Sequence, residues 1–163
     1  MTVSSYQDRR CHITRTASKL IFWTSVIVIV GVWPLDNFVG HTHWQYIKWV
    51  PTAEDLRSPK YLLDIFTDII GNTLLFLPFG YGVSRLLNNR TLGCQLIVAA
   101  ALGGALSLGI EYYQVYCHNR FPSILDVVTN VSGSLIGARF ARARNTRLTL
   151  TGLTRPKPST SSL

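Results

Sequence analysis

Four apolar blocks leave this chain few ways to fold. Leu20–Trp33 reads LIFWTSVIVIVGVW and, with Ala17 to Lys19 before it, covers most of a bilayer at about 1.5 Å of rise per residue. Ile65–Leu87, Leu92–Val115 and Ile124–Phe140 are three more, of roughly 17 to 24 residues each, with acidic residues near one end. Stretches of this length and apolarity read as helices, because a span must satisfy its own backbone N–H and C=O groups. The sequence therefore predicts an all-α fold, an integral membrane four-helix bundle. Its 163 residues hold one domain, and 47% hydrophobic residues against 15% charged is apolar for a soluble protein of this size.

The net charge of +8 suggests nucleic acid until the cations are placed. Arg9, Arg10, Arg15 and Lys19 precede the first span, and Arg85 and Arg90 lie between the second and third. Arg139, Arg142, Arg144, Arg147, Arg155 and Lys157 follow the fourth, which makes 12 of the 16 Lys and Arg. Only Lys48, Arg57, Lys60 and Arg120 fall on the other side. The positive-inside rule then predicts a cytoplasmic basic segment at 1–19, a four-span domain at 20–140 and a basic, partly disordered cytoplasmic tail at 141–163. Basic segments flanking spans meet anionic lipid head groups, so membrane lipids are the expected partner and no nucleic acid is. The N-terminus resembles a secretory signal, but Val32-Trp33-Pro34 offers no small-residue cleavage site and reads as an uncleaved anchor. Cys11, Cys94 and Cys117 make no disulfide framework, since Cys94 and Cys117 fall roughly 34 Å apart along one span.

Residues 34–64 form the one long outer loop, and Trp33, Trp44 and Trp49 suit an interfacial belt along the membrane surface. Within the spans three acids each have a carboxamide nearby: Asp68 with Asn72, Glu111 with Gln114, and Asp126 with Asn130. A carboxylate in an apolar helix costs several kcal/mol unless it is paired, hydrated or protonated, so three in one small protein imply a purpose. Helical spacing puts Asp68 and Asn72 on one face, Asp126 and Asn130 on one face, and Ser107, Glu111 and Gln114 on another. The topology brings all six to the outer third of the bilayer, with Arg120 in the adjoining loop as the nearest counter-ion. Asp68 and Asp126 can also be read as complements to the dipoles of helices that they open. Glu111 cannot, because it stands at a helix C-terminus, where a negative charge is unfavourable.

Asp68-Ile-Ile-Gly-Asn72 and Asp126-Val-Val-Thr-Asn130 form a weak parallel two-hairpin repeat. Small residues from Ala99 to Gly109, and Gly133-Ser-Leu-Ile-Gly137, predict close helix contact, and Pro78 should kink the second span and free a carbonyl towards the bundle interior. His41-Thr-His43 and Cys117-His118 lack an anchoring spacing, so no metal site is expected, nor a cofactor. There is no Ser-centred elbow, phosphate loop or zinc-binding helical motif.

At these residues the chain resembles the VanZ-like family. The resemblance rests on DIIGNTLLFLPFG at Asp68–Gly80, on EYYQ at Glu111–Gln114 followed by Arg120, and on DVVTNVSGSLIGA at Asp126–Ala138, and it covers about 65–140. It implies a small multi-span protein of the bacterial cytoplasmic (inner) membrane, in a family named after a member linked to resistance to teicoplanin. It also implies functional polar positions at Asp68, Asn72, Glu111, Gln114, Arg120, Asp126 and Asn130.

Two functions compete. The first is a non-enzymatic or accessory envelope protein whose outward carboxylate and amide site binds a lipid-linked or glycopeptide-type ligand, with a role in antibiotic response. An acidic cluster favours cationic or hydroxyl-rich ligands, and amides add hydrogen bonds to sugar or peptide groups. The alternative is an intramembrane enzyme acting on an envelope lipid or glycan, with Glu111 as acid or base and Asp126 or Asp68 orienting it. A proton-linked carrier is disfavoured, because no comparably strong polar residue continues into the inner half, where Ser84 and Arg85 mark a boundary. Oligomeric state is not legible.

Overall fold

A computed structural model describes residues 3–42, 44–46, 57–118 and 122–153 of the chain. Four helices carry the fold: α1 (Val3–Val32), α2 (Pro59–Leu86), α3 (Leu92–Gln114) and α4 (Ile124–Leu153). Short 3-10 turns at Leu35–Asn37 and Trp44–Tyr46 follow α1; the described residues form no strand, and Phe38 and Cys117 pair in an isolated bridge. The predicted all-α bundle is present. The helices α1 (over Ile13–Val32), α2 and α3 are each long and apolar enough to cross a membrane. Large apolar side chains face outward, Phe66 at 61% and Ile97 at 70% exposure, which suits a surface solvated by lipid tails.

Two boundaries differ from the sequence reading. Helix α2 starts at Pro59, six residues before the expected Ile65, because a proline at the first helical position loses only an N–H that has no helical partner anyway. The outer loop therefore ends before Tyr61 and Asp64, which belong to the helix. Helix α4 runs past Phe140 to Leu153, since its Ala, Arg and Leu residues favour helix although they are not apolar as a run. The end of the tail, 154–163, lies outside the described residues.

The most extensive interface joins α2 to α4. It is made by small residues. A methyl group placed on Gly133 would strike the carbonyl oxygen of Thr73, one on Gly137 that of Leu77, and one on Gly80 that of Ser134. The two backbones thus touch, as the glycine spacing predicts where lipid supplies no hydrophobic drive. Helix α3 adds a stripe at every fourth residue, Gln95, Ala99, Gly103, Ser107 and Glu111, all buried. Helix α1 is tied on by the Trp23 indole N–H, which donates to the carbonyl of Leu75 at 2.6 Å.

The helices alternate in direction. Ile27–Gly31, the first half of α2, the end of α3 and the start of α4 gather at one end, and Arg15–Trp23, the second half of α2 and Arg144 at the other. We call these the acidic and the basic end. Seven of the eight Asp and Glu, all but Asp8, fall between Asp36 and Asp126, and four of them, Asp64, Asp68, Glu111 and Asp126, line the cavity at the acidic end. There the segment after α1 is stitched to the end of α3: Val39 N–H donates to the Tyr116 carbonyl at 3.0 Å and His118 N–H to the Asn37 carbonyl at 2.9 Å. The Phe38 ring stacks on Tyr113 and Tyr116, and Trp44 leans on Tyr112. A 3.0 Å hydrogen bond to Tyr112 and loss of hydration push the Tyr116 phenol above its ordinary value.

Candidate functional site

A cavity of about 460 Å³ opens among all four helices at the acidic end. Asp68 and Asn72 reach it from α2, Glu111 and Gln114 from α3, and Asp126 and Asn130 from α4. All six residues of the three acid and amide pairs therefore line one space. Arg120 lies outside the described residues. Asp68 is exposed, Asn72 and Asp126 half-buried, and Glu111, Gln114 and Asn130 buried.

The three buried groups are held differently. Glu111 accepts the backbone N–H of Ser123 through Oε2 at 2.9 Å, which ties the α3–α4 connection to the carboxylate that the helix dipole disfavours. Gln114 donates through Nε2 to the carbonyl of Gly31 at 3.0 Å, meeting one of the carbonyls left over at the end of α1. Asn130 donates through Nδ2 to the Ser107 hydroxyl at 2.9 Å, so the small face of α3 and the amide of α4 meet directly. Its Oδ1 is buried and has no hydrogen-bond partner. An orphaned buried acceptor costs about 1–3 kcal/mol, and a donor brought in by a ligand would recover that.

The extended start of α2 changes the reading of Asp68. It sits about two and a half turns inside the helix, too far from the N-terminus to act as a cap or dipole complement. Asp126, in the first turn of α4, keeps that second reading. The cavity also takes in Tyr61, Asp64 and Ser123, which the sequence reading missed. Tyr61, Asp64, Asp68 and Asn72 form one helical stripe, and Asp64 stands a single turn before Asp68, so the spacing was available once the loop had been read as helix.

The described lining thus holds four carboxylates, Asp64, Asp68, Glu111 and Asp126, and no Lys, Arg or His. Such a space favours donors and cations. Among the described residues no three His, Cys, Asp or Glu side chains gather as a metal site; the rings of His41 and His118 meet edge to face at 5.7 Å, and His43 is outside the described residues. Neither Cys94 nor Cys117 is in a disulfide, and the Cys117 thiol donates to the Tyr113 carbonyl at 3.7 Å.

A family model described as VanZ/LLP1 matches residues 17–145, most of the chain. The chain belongs to the VanZ-like family. The match extends well beyond 65–140, taking in α1 from Ala17 onward, the 34–64 segment and the basic turn of α4 that follows Phe140. Family membership and the apolar helices together make this a VanZ-like membrane protein. No curated protein and no solved structure matches it. The VanZ-like match includes every residue of the acidic cavity, so the cavity is part of the family region and not an appendage to it.

Proposed function

We propose that this VanZ-like protein lies in the bacterial cytoplasmic membrane with both termini inside. Its acidic cavity faces outward and holds the donor-rich head group of an envelope lipid-linked or glycopeptide-type ligand. The observation that carries this reading is the convergence of four carboxylates and the partnerless Asn130 Oδ1 on one cavity of about 460 Å³. Structural acids need partners but have no need to surround a shared space. The charge asymmetry of the Lys and Arg residues supports the orientation, and reporter fusions at Lys48 and after Leu163 test it: external and cytoplasmic signals respectively are expected.

Teicoplanin and a lipid-linked cell-wall precursor are the probes for the ligand. Glu111→Gln retains an oxygen to accept the Ser123 N–H while removing the charge. It should change melting by no more than about 1 kcal/mol equivalent, yet weaken probe binding at least tenfold. Asp126→Asn should act in the same direction. If Glu111→Gln binds both probes as the wild type does, or loses binding only in step with loss of folded protein, Glu111 is a structural tether. The enzymatic alternative draws on Glu111, Asp126 and Asp68, three of these four carboxylates, sharing a cavity, an arrangement suited to acid and base roles. Lipid analysis of a deletion strain separates the two readings, since only an enzyme leaves an accumulated precursor.

A further inference from the structure

We propose that the basic end carries a second site, which holds the phosphate head group of an anionic membrane lipid. A cavity of about 640 Å³ opens there between α1, α2 and α4. Arg15 and Lys19, one turn apart on α1, line it together with Arg85 of α2 and Arg144 of α4. Among the described residues its lining includes no Asp or Glu. Three separate helices thus bring four cations to one space, and like charges so placed favour an anion among them.

Arg85 is aimed. Its Nη1 donates to the Asn145 Oδ1 at 2.6 Å, and Asn145 in turn donates to the Asn88 side chain. Asn145 is neutral, so the contact orients the guanidinium without neutralising it, and a guanidinium fork matches phosphate oxygens. The rest of the cavity decides which phosphate. Leu20, Phe22, Trp23, Leu77 and Pro78 give the cavity an apolar wall besides the cations. That wall is useless to a soluble phosphate and suits the first methylenes of an acyl chain. The site shares no lining residue with the acidic cavity and does not depend on what that cavity binds.

Trp23 forms part of the wall, and its indole is fixed by the Leu75 carbonyl, so it can report on an occupant. The full chain carrying W33F, W44F and W49F would be placed in phosphatidylcholine nanodiscs with increasing phosphatidylglycerol brominated in its acyl chains. Trp23 quenching should saturate at a small mole fraction and exceed that from brominated phosphatidylcholine. R15Q, R85Q and R144Q should each lower the enrichment by roughly five-fold, the effect of about one basic residue near a lipid surface, and together abolish it. R90Q, R139Q and R142Q remove the same charge outside the cavity lining and should retain it. Should the triple variant fail to fold, the three single variants decide. Quenching that merely follows bulk lipid composition, equal behaviour of the two variant sets, or displacement by millimolar inorganic phosphate would each overturn the lipid site.

Discussion

Gln95 and Asn130 are both buried carboxamides, at opposite ends of the same bundle, and their surroundings differ in kind. Gln95 is satisfied on both sides: Oε1 accepts the Ser84 hydroxyl at 2.8 Å, and Nε2 donates to the carbonyls of Leu87 and Arg90 at 2.9 and 3.0 Å. It closes the α2–α3 turn, and no cavity is needed to explain it. Asn130 satisfies one side with Ser107 and leaves Oδ1 without a partner beside an open space. Burial of a polar group is therefore not the mark of a ligand site in this protein. Incomplete satisfaction beside a cavity is.

The contrast presupposes that one rigid contact holds both ends, and the largest expected effect tests that. Gly133→Leu and Gly137→Leu drive a side chain into opposing backbone, which cannot move aside as a side chain would, and should remove most of the detergent-resistant folded protein. Thr146→Leu, on the exposed surface of α4, should leave the yield unchanged. Equal yields for all three would break the comparison at its base.

Next in size is Gln95→Leu. It orphans the Ser84 hydroxyl and takes a donor from the Arg90 and Leu87 carbonyls, the latter keeping only the Arg90 N–H, at about 1–3 kcal/mol for each group left unpaired that water cannot reach, so a clear fall in melting temperature is expected. Probe binding at the acidic cavity, corrected for folded fraction, should not change. Asn130→Leu should do the reverse: removal of the orphaned Oδ1 offsets the loss of the Ser107 bond, so melting stays within about 1 kcal/mol of wild type while probe binding falls. If the two variants behave alike, the distinction between a filled and an open amide has no consequence. Asp36→Asn is the smallest effect, silent in both measurements, since Asp36 is exposed in the turn after α1 and does not line the cavity.

The helical class, the order of the four elements and the meeting of Asp68, Glu111 and Asp126 with their amides were legible in the sequence, because apolar length and helical spacing alone carry them. The start of α2 was not. Lys60 and Asp64 break the apolar run, and the proline that begins the helix reads as part of a loop when hydropathy is the guide. Missing that start also hid Tyr61 and Asp64 from the site. Gln95 was passed over because nothing in its neighbours along the chain marks the turn carbonyls that it meets; only the fold brings them within reach. The tethers from Glu111 to Ser123 and from Gln114 to Gly31 are long-range pairings of the same kind. Arg120, the expected counter-ion, is outside the described residues, so its part in the site stays an expectation.

The backbone contact between α2 and α4 has a consequence for synthesis. Its two partners are α2 and α4, with α3 made between them, so the broadest interface of the protein cannot form until α4 has left the ribosome. Until then Asp68 and Asn72 must wait in the membrane without the helix that completes their cavity, beside only α1 and α3. A chain released before Gly133 would keep three helices apolar enough to insert and lose the one against which they lock. Such a nascent product offers quality-control proteases an unpaired glycine face and two stranded polar groups, and is the form of this protein most exposed to them.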